Sequence, residues 1–230
     1  MSNASIAVET QDLTKSYAQS EINVLQGVNL TIETGEFIAL MGPSGCGKST
    51  LLNILGAIDR PSSGKVMLFN DSLGEKDDRA LTQLRRTRLG FVFQFFNLMA
   101  TLTAYENVAL PLELSSGALT DSVKAQRERI EALIEQVGMT HRKHAYPSAL
   151  SGGEMQRIAI ARALIHQPQI ILADEPTGNL DSENGERILD LLKILTQQNG
   201  QTIIMATHSN EAAAVANRTV RMKDGQILAA

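Results

Sequence analysis

Gly42-Pro43-Ser44-Gly45-Cys46-Gly47-Lys48-Ser49-Thr50 is the stretch that decides the fold. It fits the pattern GxxxxGK followed by Ser or Thr, and it stands between an apolar run, Phe37 to Met41, and a helical run, Ser49 to Ala57. Strand, glycine loop and helix in that order make a P-loop. The glycines let the backbone curl, so that successive N–H groups and the positive end of the helix face phosphate oxygens. Lys48 adds a mobile charge, Ser49 a hydroxyl for Mg²⁺, and Thr50 one more phosphate contact, while Cys46 reads as a small loop residue. A glycine-rich turn that merely joins strand to helix leaves Lys48 and Ser49 unexplained. A dinucleotide fingerprint, GxGxxG, would need glycine where Thr50 stands.

Outward from the loop, the chain changes texture twice, with no internal repeat. Ile6 to Leu13, Asn23 to Ile32 and Glu36 to Met41 mix alternating and continuous apolar residues, punctuated by Gly27 and Gly35, which predicts a mixed sheet packed on a helix. From about Ala80 to Gly138 the pattern turns helical. The charged run Asp121 to Glu135 carries Val123, Ile130, Leu133, Ile134 and Val137 at helical spacing. The short β-branched runs Ile170 to Ala173 and Thr202 to Thr207 read as central parallel strands. The prediction is one α/β domain over residues 1–230, with a core at about 5–94 and 147–230 and a helical insert at about 95–146.

Two further stretches carry chemistry. Ile170 to Ala173 leads into Asp174-Glu175, a buried strand ending in adjacent carboxylates: Asp174 suits a metal role and Glu175 the polarising of an attacking water. Side chains alternate along a strand, so two neighbours are expected to do different jobs. Leu150-Ser151-Gly152-Gly153-Glu154-Met155-Gln156-Arg157 precedes a helical segment, Ile158 to His166, and offers a hydroxyl and open glycine amides at a helix N-terminus. By itself it is also an ordinary Ser-Gly helix cap. Beside a P-loop that already holds a triphosphate, a second anion-binding surface makes sense if it covers the nucleotide of another copy.

Composition narrows the class. The chain has 230 residues, 43% of them hydrophobic, which is enough for a sizeable core. Aromatics at 4%, no Trp and a net charge of -4 argue against a nucleic-acid partner, leaving ATP as the expected nucleotide. One cysteine, Cys46, cannot form an internal disulfide. No stretch approaches the roughly 20 apolar residues of a bilayer span, and the N-terminus, with Glu9 and Asp12 nearby, is not expected to be a signal peptide. Met1-Ser2-Asn3-Ala4 is small and polar and is left out of the fold reading.

The P-loop, the stretch from Leu150 to Arg157 and Ile171-Leu172-Ala173-Asp174-Glu175-Pro176, in this order, resemble an ATP-binding-cassette (ABC) nucleotide-binding domain over nearly the whole chain. The resemblance implies a P-loop NTPase fold: a RecA-like core with an N-terminal antiparallel β-subdomain and an inserted α-helical subdomain. It further implies an adenine-stacking role for Tyr17 and a Mg²⁺- and γ-phosphate-sensing role for Gln94. His208 becomes the switch histidine and Asp181, in Gly178-Asn179-Leu180-Asp181, part of the loop that communicates across a dimer. ATP and Mg²⁺ are the implied cofactors. Lys48, Gln94, Glu175 and His208 would serve catalysis, and Ser49, Gln94 and Asp174 the metal. The loop Gly42 to Thr50 would bind nucleotide together with Tyr17, Ser151, Gly152, Gly153, Glu154 and Asp181. Two chains would close head to tail on two ATP molecules, Ser151 and Gly153 of one completing the site of the other. Met155 stands where relatives often have Gln, and Ser209 where an acidic residue is frequent.

Phe95-Phe96-Asn97-Leu98, Leu102 to Val108 and Leu110-Pro111-Leu112 are similar to bacterial ATPases of the lipoprotein-release and macrolide-export group. That similarity implies an integral-membrane permease partner and a place on the cytoplasmic face of the bacterial inner membrane. Phe95, Phe96, Leu98 and Met99 are then either a docking surface or core of the helical insert. A soluble ABC ATPase for iron–sulfur assembly or DNA maintenance is the alternative. Long heptad segments between the P-loop and the signature stretch Leu150 to Arg157, expected of DNA-repair types, are not in this sequence.

Overall fold

The computed structural model describes residues 5–17, 23–114 and 122–228; Met1 to Ala4, and Asp121 at the head of the charged run, lie outside them. In chain order the first half comprises β1 (Ile6–Ser16), β2 (Asn23–Glu33), β3 (Phe37–Met41), α1 (Lys48–Leu55), β4 (Ser63–Leu68), β5 (Asp71–Ser72), α2 (Asp78–Arg88), β6 (Leu89–Val92) and α3 (Ala104–Leu114). The second half comprises α4 (Val123–Gln136), α5 (Gly152–Leu164), β7 (Ile170–Asp174), α6 (Ser182–Asn199), β8 (Thr202–Thr207), α7 (Asn210–Ala213), β9 (Arg218–Lys223) and β10 (Gln226–Ile227).

These strands form two sheets. One is antiparallel, in the order β2-β1-β4-β5; the other runs β10-β9-β3-β8-β7-β6 and is parallel except for the edge strand β10. The expected single mixed sheet of the first three strands is therefore split. β2 exposes nearly every second residue and β1 mixes exposed with buried ones, as suits a sheet with one wet face, whereas Phe37 to Leu40 are all buried. That burial places β3 between β8 and β9 at the centre of the parallel sheet.

Strict alternation builds two cores. Ile38, Leu40, Leu172, Ile204 and Ala206 point to one side, where they meet Leu51, Ile54 and Leu55 of α1 and Leu13, Leu25 and Val28 of the antiparallel sheet. Phe37, Ala39, Ile171, Ala173, Ile203 and Met205 point to the other, against Ile160 and Leu164 of α5 and Ile188 and Leu192 of α6. The P-loop helix is thus clamped between two sheets, and the loop before it inherits that rigidity.

The helical texture from Ala80 onward is interrupted: α2 ends at Arg88, and Leu89 to Val92 form a strand beside β7. Gly90 makes this possible, since a methyl group there would stand 2.5 Å from the Ala163 carbonyl of α5. In α4, Ile130, Ile134 and the following Val137 are buried, whereas Val123, in the first turn, is 68% exposed and does not join the predicted stripe.

Candidate active site

The P-loop takes two left-handed turns, at Gly45 (φ 80°) and Gly47 (φ 103°), that only glycine adopts without strain. They curl the chain around Lys48, whose ammonium donates to the carbonyls of Gly42 at 2.7 Å and Pro43 at 3.1 Å. No side chain caps α1, so its first N–H groups face the loop. Gly42 is needed for space: a methyl group there would lie 2.2 Å from the Met222 carbonyl of β9 and 2.8 Å from Cys46 Sγ. Cys46 is buried beneath the loop, in keeping with a small packing residue.

Ser49 Oγ donates to Asp174 Oδ1 at 3.0 Å, joining the loop to the end of β7. Burial, and secondarily the neighbouring Glu175 charge, pushes the Asp174 carboxyl above its ordinary pKa, against the opposing pull of Ser49 and Lys48. Glu175 is already past the strand, in a left-handed conformation (φ 47°). The kink turns its side chain toward His208, whose Nδ1 lies 3.0 Å from Glu175 Oε1, and to 4.0 Å from Lys48 Nζ. The two carboxylates do diverge, though the backbone kink contributes as well as strand alternation.

A cavity of about 680 Å³ collects these groups: Pro43, Ser44, Gly45, Gly47, Lys48, Ser49 and Thr50 of the loop, with Gln94, Asp174, Glu175 and His208. Val24 also lines it, a position no motif marks. Gln94 follows β6; its carbonyl accepts from Asn179 Nδ2 at 2.9 Å. Tyr17 does not line this cavity. Its hydroxyl donates to Asp59 Oδ2 at 2.9 Å, and Lys15 Nζ sits 4.7 Å from the centre of its ring.

Ser151, Gly152, Gly153, Glu154 and Asp181 lie outside the cavity as well. Ser151 and Glu154 form a capping box: Glu154 N donates to Ser151 Oγ at 3.3 Å and Ser151 N to Glu154 Oε2 at 2.8 Å. The bond from the Ser151 backbone, with the Ser151 hydroxyl and Arg142 adding to it, holds the Glu154 carboxyl below its usual range. Asp181 accepts from Asn184 N at 2.9 Å and from Asn184 Nδ2 at 2.7 Å. The two unusual residues also find their places: Ser209 caps α7 by accepting from Ala212 N, and Met155 packs against the core. Of the four apolar residues Phe95, Phe96, Leu98 and Met99, Leu98 packs on the core, Phe96 is half-buried, and Phe95 and Met99 are exposed.

The ABC transporter family model matches residues 25–178, which span the P-loop, the Ser-Gly-Gly helix start and the paired carboxylates. The chain belongs to the ABC transporter family. It is 44% identical to the lipoprotein-releasing system ATP-binding protein LolD of Geobacter metallireducens, over 96% of this chain and 98% of the relative. It is also 44% identical to the macrolide export ATP-binding/permease protein MacB of Hyphomonas neptunium, over 96% of this chain and 34% of that longer protein. Among solved structures, the dimeric post-hydrolysis state of the ATP-binding cassette MJ0796 of Methanocaldococcus jannaschii, bound to ADP and Pi, superposes with a TM-score of 0.88. That match has 44% identity and covers 96% of this chain and 97% of the other. The chain is thus an ATP-binding ABC ATPase.

Proposed function

We propose that this ABC ATPase is the motor subunit of a transport or extraction complex, two copies closing head to tail on two ATP molecules to drive a partner permease. The observation that carries the reading is a division of labour. Lys48, Ser49, Asp174, Glu175, Gln94 and His208 meet in one cavity, while exposed Ser151 and partly exposed Gly152 start α5 outside it, with Gly153 next to them buried. Each surface is half of a site that a second copy completes.

In this mechanism Lys48 neutralises phosphate charge, Glu175 accepts a proton from the attacking water, and His208 contacts the γ-phosphate. Ser49 Oγ and Asp174 Oδ1, 3.0 Å apart, form a hard-oxygen pair that suits Mg²⁺, with Ser49 as a direct ligand and Asp174 holding the ion through water. Among the described residues no group of three or more His, Cys, Asp and Glu could hold a metal by itself, which agrees with an ion that takes its remaining ligands from phosphate and water. The bound ion would supply charge neutralisation at the β- and γ-phosphates. Tyr17 would stack on adenine once it leaves Lys15, and Asp181 would face the partner copy. Loss of the γ-phosphate removes the contact that both faces share, so the closed pair reopens.

α3 and α4 belong to the helical arm that meets the permease in this reading. Beside β6 lies a groove of about 480 Å³ with an apolar floor of Phe91, Phe93, Leu110, Pro111 and Leu114. Arg85, Arg86 and Arg162 line it too. No described helix is long and apolar enough to cross a membrane, so attachment to the cytoplasmic face of the bacterial inner membrane is assigned to the permease. The test is to isolate the tagged Glu175→Gln protein with ATP and Mg²⁺ in mild detergent and identify its stoichiometric partner by mass spectrometry. An integral membrane protein with a large extracytoplasmic domain supports the motor reading. Partners confined to iron–sulfur assembly or DNA maintenance overturn it, and leave the ATPase chemistry standing.

A further inference from the structure

Asn184 stands in the first turn of α6, and its backbone N–H donates to Asp181 Oδ1 at 2.9 Å, as in any capped helix. Its side chain goes further than a cap requires. Nδ2 donates to the other carboxylate oxygen, Asp181 Oδ2, at 2.7 Å, so one residue holds both oxygens of Asp181. The opposite end of the same amide is pressed on α5: a methyl group at Gly153 would stand 2.8 Å from Asn184 Oδ1 and 3.0 Å from its Cγ. One half-buried amide therefore spans Asp181 and the second signature glycine.

The contacts continue toward the ATP cavity. A methyl group at Gly152 would meet Leu180 Cδ2 at 3.4 Å and the Asn179 carbonyl at 3.7 Å, so the same loop lies along both signature glycines. Asn179 is bonded to Gln94, which lines the cavity. Beyond Gln94 the chain reaches α5 a second time, where Arg162 donates to the carbonyls of Phe96 at 2.8 Å and Asn97 at 2.6 Å. The start of α5 is packed by Asn184 against the loop at Asp181, and its last turn is held by Arg162 to the segment after Gln94.

We propose that Asn184 is a positioning residue that couples the two ATP sites of a closed pair: it ties the glycines that cover the partner's nucleotide to the loop that reads the chain's own. The inference rests on the two-chain site proposed above. An amide fits the task because it donates to Asp181 and presents an oxygen to Gly153 at once. Aspartate, of the same shape, would set a second carboxylate against Asp181.

The experiment compares ATPase rate against ATP concentration for wild type, Asn184→Ala and Asn184→Asp. Melting temperature and binding of a fluorescent ATP analogue to each are measured alongside, to show that all three fold and bind. Both variants keep the backbone bond that caps α6. The wild type is expected to show a Hill coefficient approaching about 2, the number of sites. Both variants are expected to fall to about 1, with kcat at least fivefold lower, the low end of the range of site-to-site coupling, and analogue affinity within about twofold of wild type. Cooperativity that survives in both variants overturns the inference alone. A wild type with no cooperativity, whose Glu175→Gln form stays monomeric with ATP, sinks the two-chain site and the inference with it.

Discussion

Asp174→Asn separates what the carboxylate does to the fold from what it does for the nucleotide. Burial raises the folded-state pKa of Asp174, the Glu175 charge adds to this, and Ser49 and Lys48 oppose it. A carboxylate with a raised pKa is less willing to ionise in the folded chain than in the unfolded one, so at neutral pH its charge subtracts from stability. Asparagine has the same shape, keeps an oxygen for the Ser49 hydroxyl 3.0 Å away, and carries no charge. The ligand-free variant should therefore melt at or above the wild type. With ATP and Mg²⁺ the order reverses. At about 100 times its Kd a ligand adds about 2.7 kcal/mol, or about 5–11 °C of melting temperature for a chain of this size. If the lost charge weakens binding about 100-fold, as loss of an outer-shell metal contact can, the same concentration adds about 0.4 kcal/mol, about 1–2 °C. Differential scanning fluorimetry with and without ATP and Mg²⁺, and phosphate release at saturating ATP, read both effects. A ligand-free variant that melts more than about 4 °C below wild type, or an undiminished ligand shift, refutes the reasoning.

Two other substitutions test the frame around the site. Burial pushes the His166 ring below its ordinary pKa of 6.5, against the opposing hydrogen bond to the Leu89 carbonyl, and its Nδ1 is buried with no partner. The ring is neutral in both states above 6.5, and below it the unfolded chain takes the proton first, so stability is lost as pH falls. His166→Gln, which keeps a donor for Leu89, should flatten the decline in melting temperature between pH 7.5 and about 5.5; parallel curves would contradict the assignment. In Gly42→Ala the new methyl would stand 2.2 Å from the Met222 carbonyl, and overpacking of that kind costs about 1–3 kcal/mol, which thermal melts would show as about 2–12 °C.

The P-loop was legible because its demands are local: glycine where φ is positive, Lys48 and Ser49 at fixed offsets, and an apolar strand and a helix on either side. The central strands were legible too, since burial on both faces leaves continuous apolar runs such as Phe37 to Leu40 and Ile170 to Ala173. β6 was not. Its four residues continue a helical texture, and what makes them a strand is the pairing with β7 and the approach of Ala163 to Gly90, both distant in sequence. The same holds for the parting of β3 from β1 and β2, and for Val24, an apolar residue at the start of β2 whose place in the cavity depends on how the antiparallel sheet meets the loop. Asn184 sits three residues after Asp181, and its second role depends on α5 arriving beside it. Tyr17 lies beyond what sequence could place, because its partners Lys15 and Asp59 belong to a strand and a turn 44 residues apart.

The conformation of Glu175 is itself an argument for the function. A residue with a Cβ in the left-handed region costs about 1–3 kcal/mol, and glycine at that position would remove the cost. The surroundings hold the kink in place: Glu175 N donates to the Ala206 carbonyl at 3.0 Å, and Gly178 N donates to the Glu175 carbonyl at 3.0 Å. A chain that only needed to turn after β7 would do better with glycine, as it does at Gly45 and Gly47. Here the strain aims a carboxylate at the space between Lys48 and His208, while Asp174, one residue earlier, stays with Ser49. Two adjacent carboxylates thereby receive different partners in one cavity, which is what separate metal-holding and water-activating roles require.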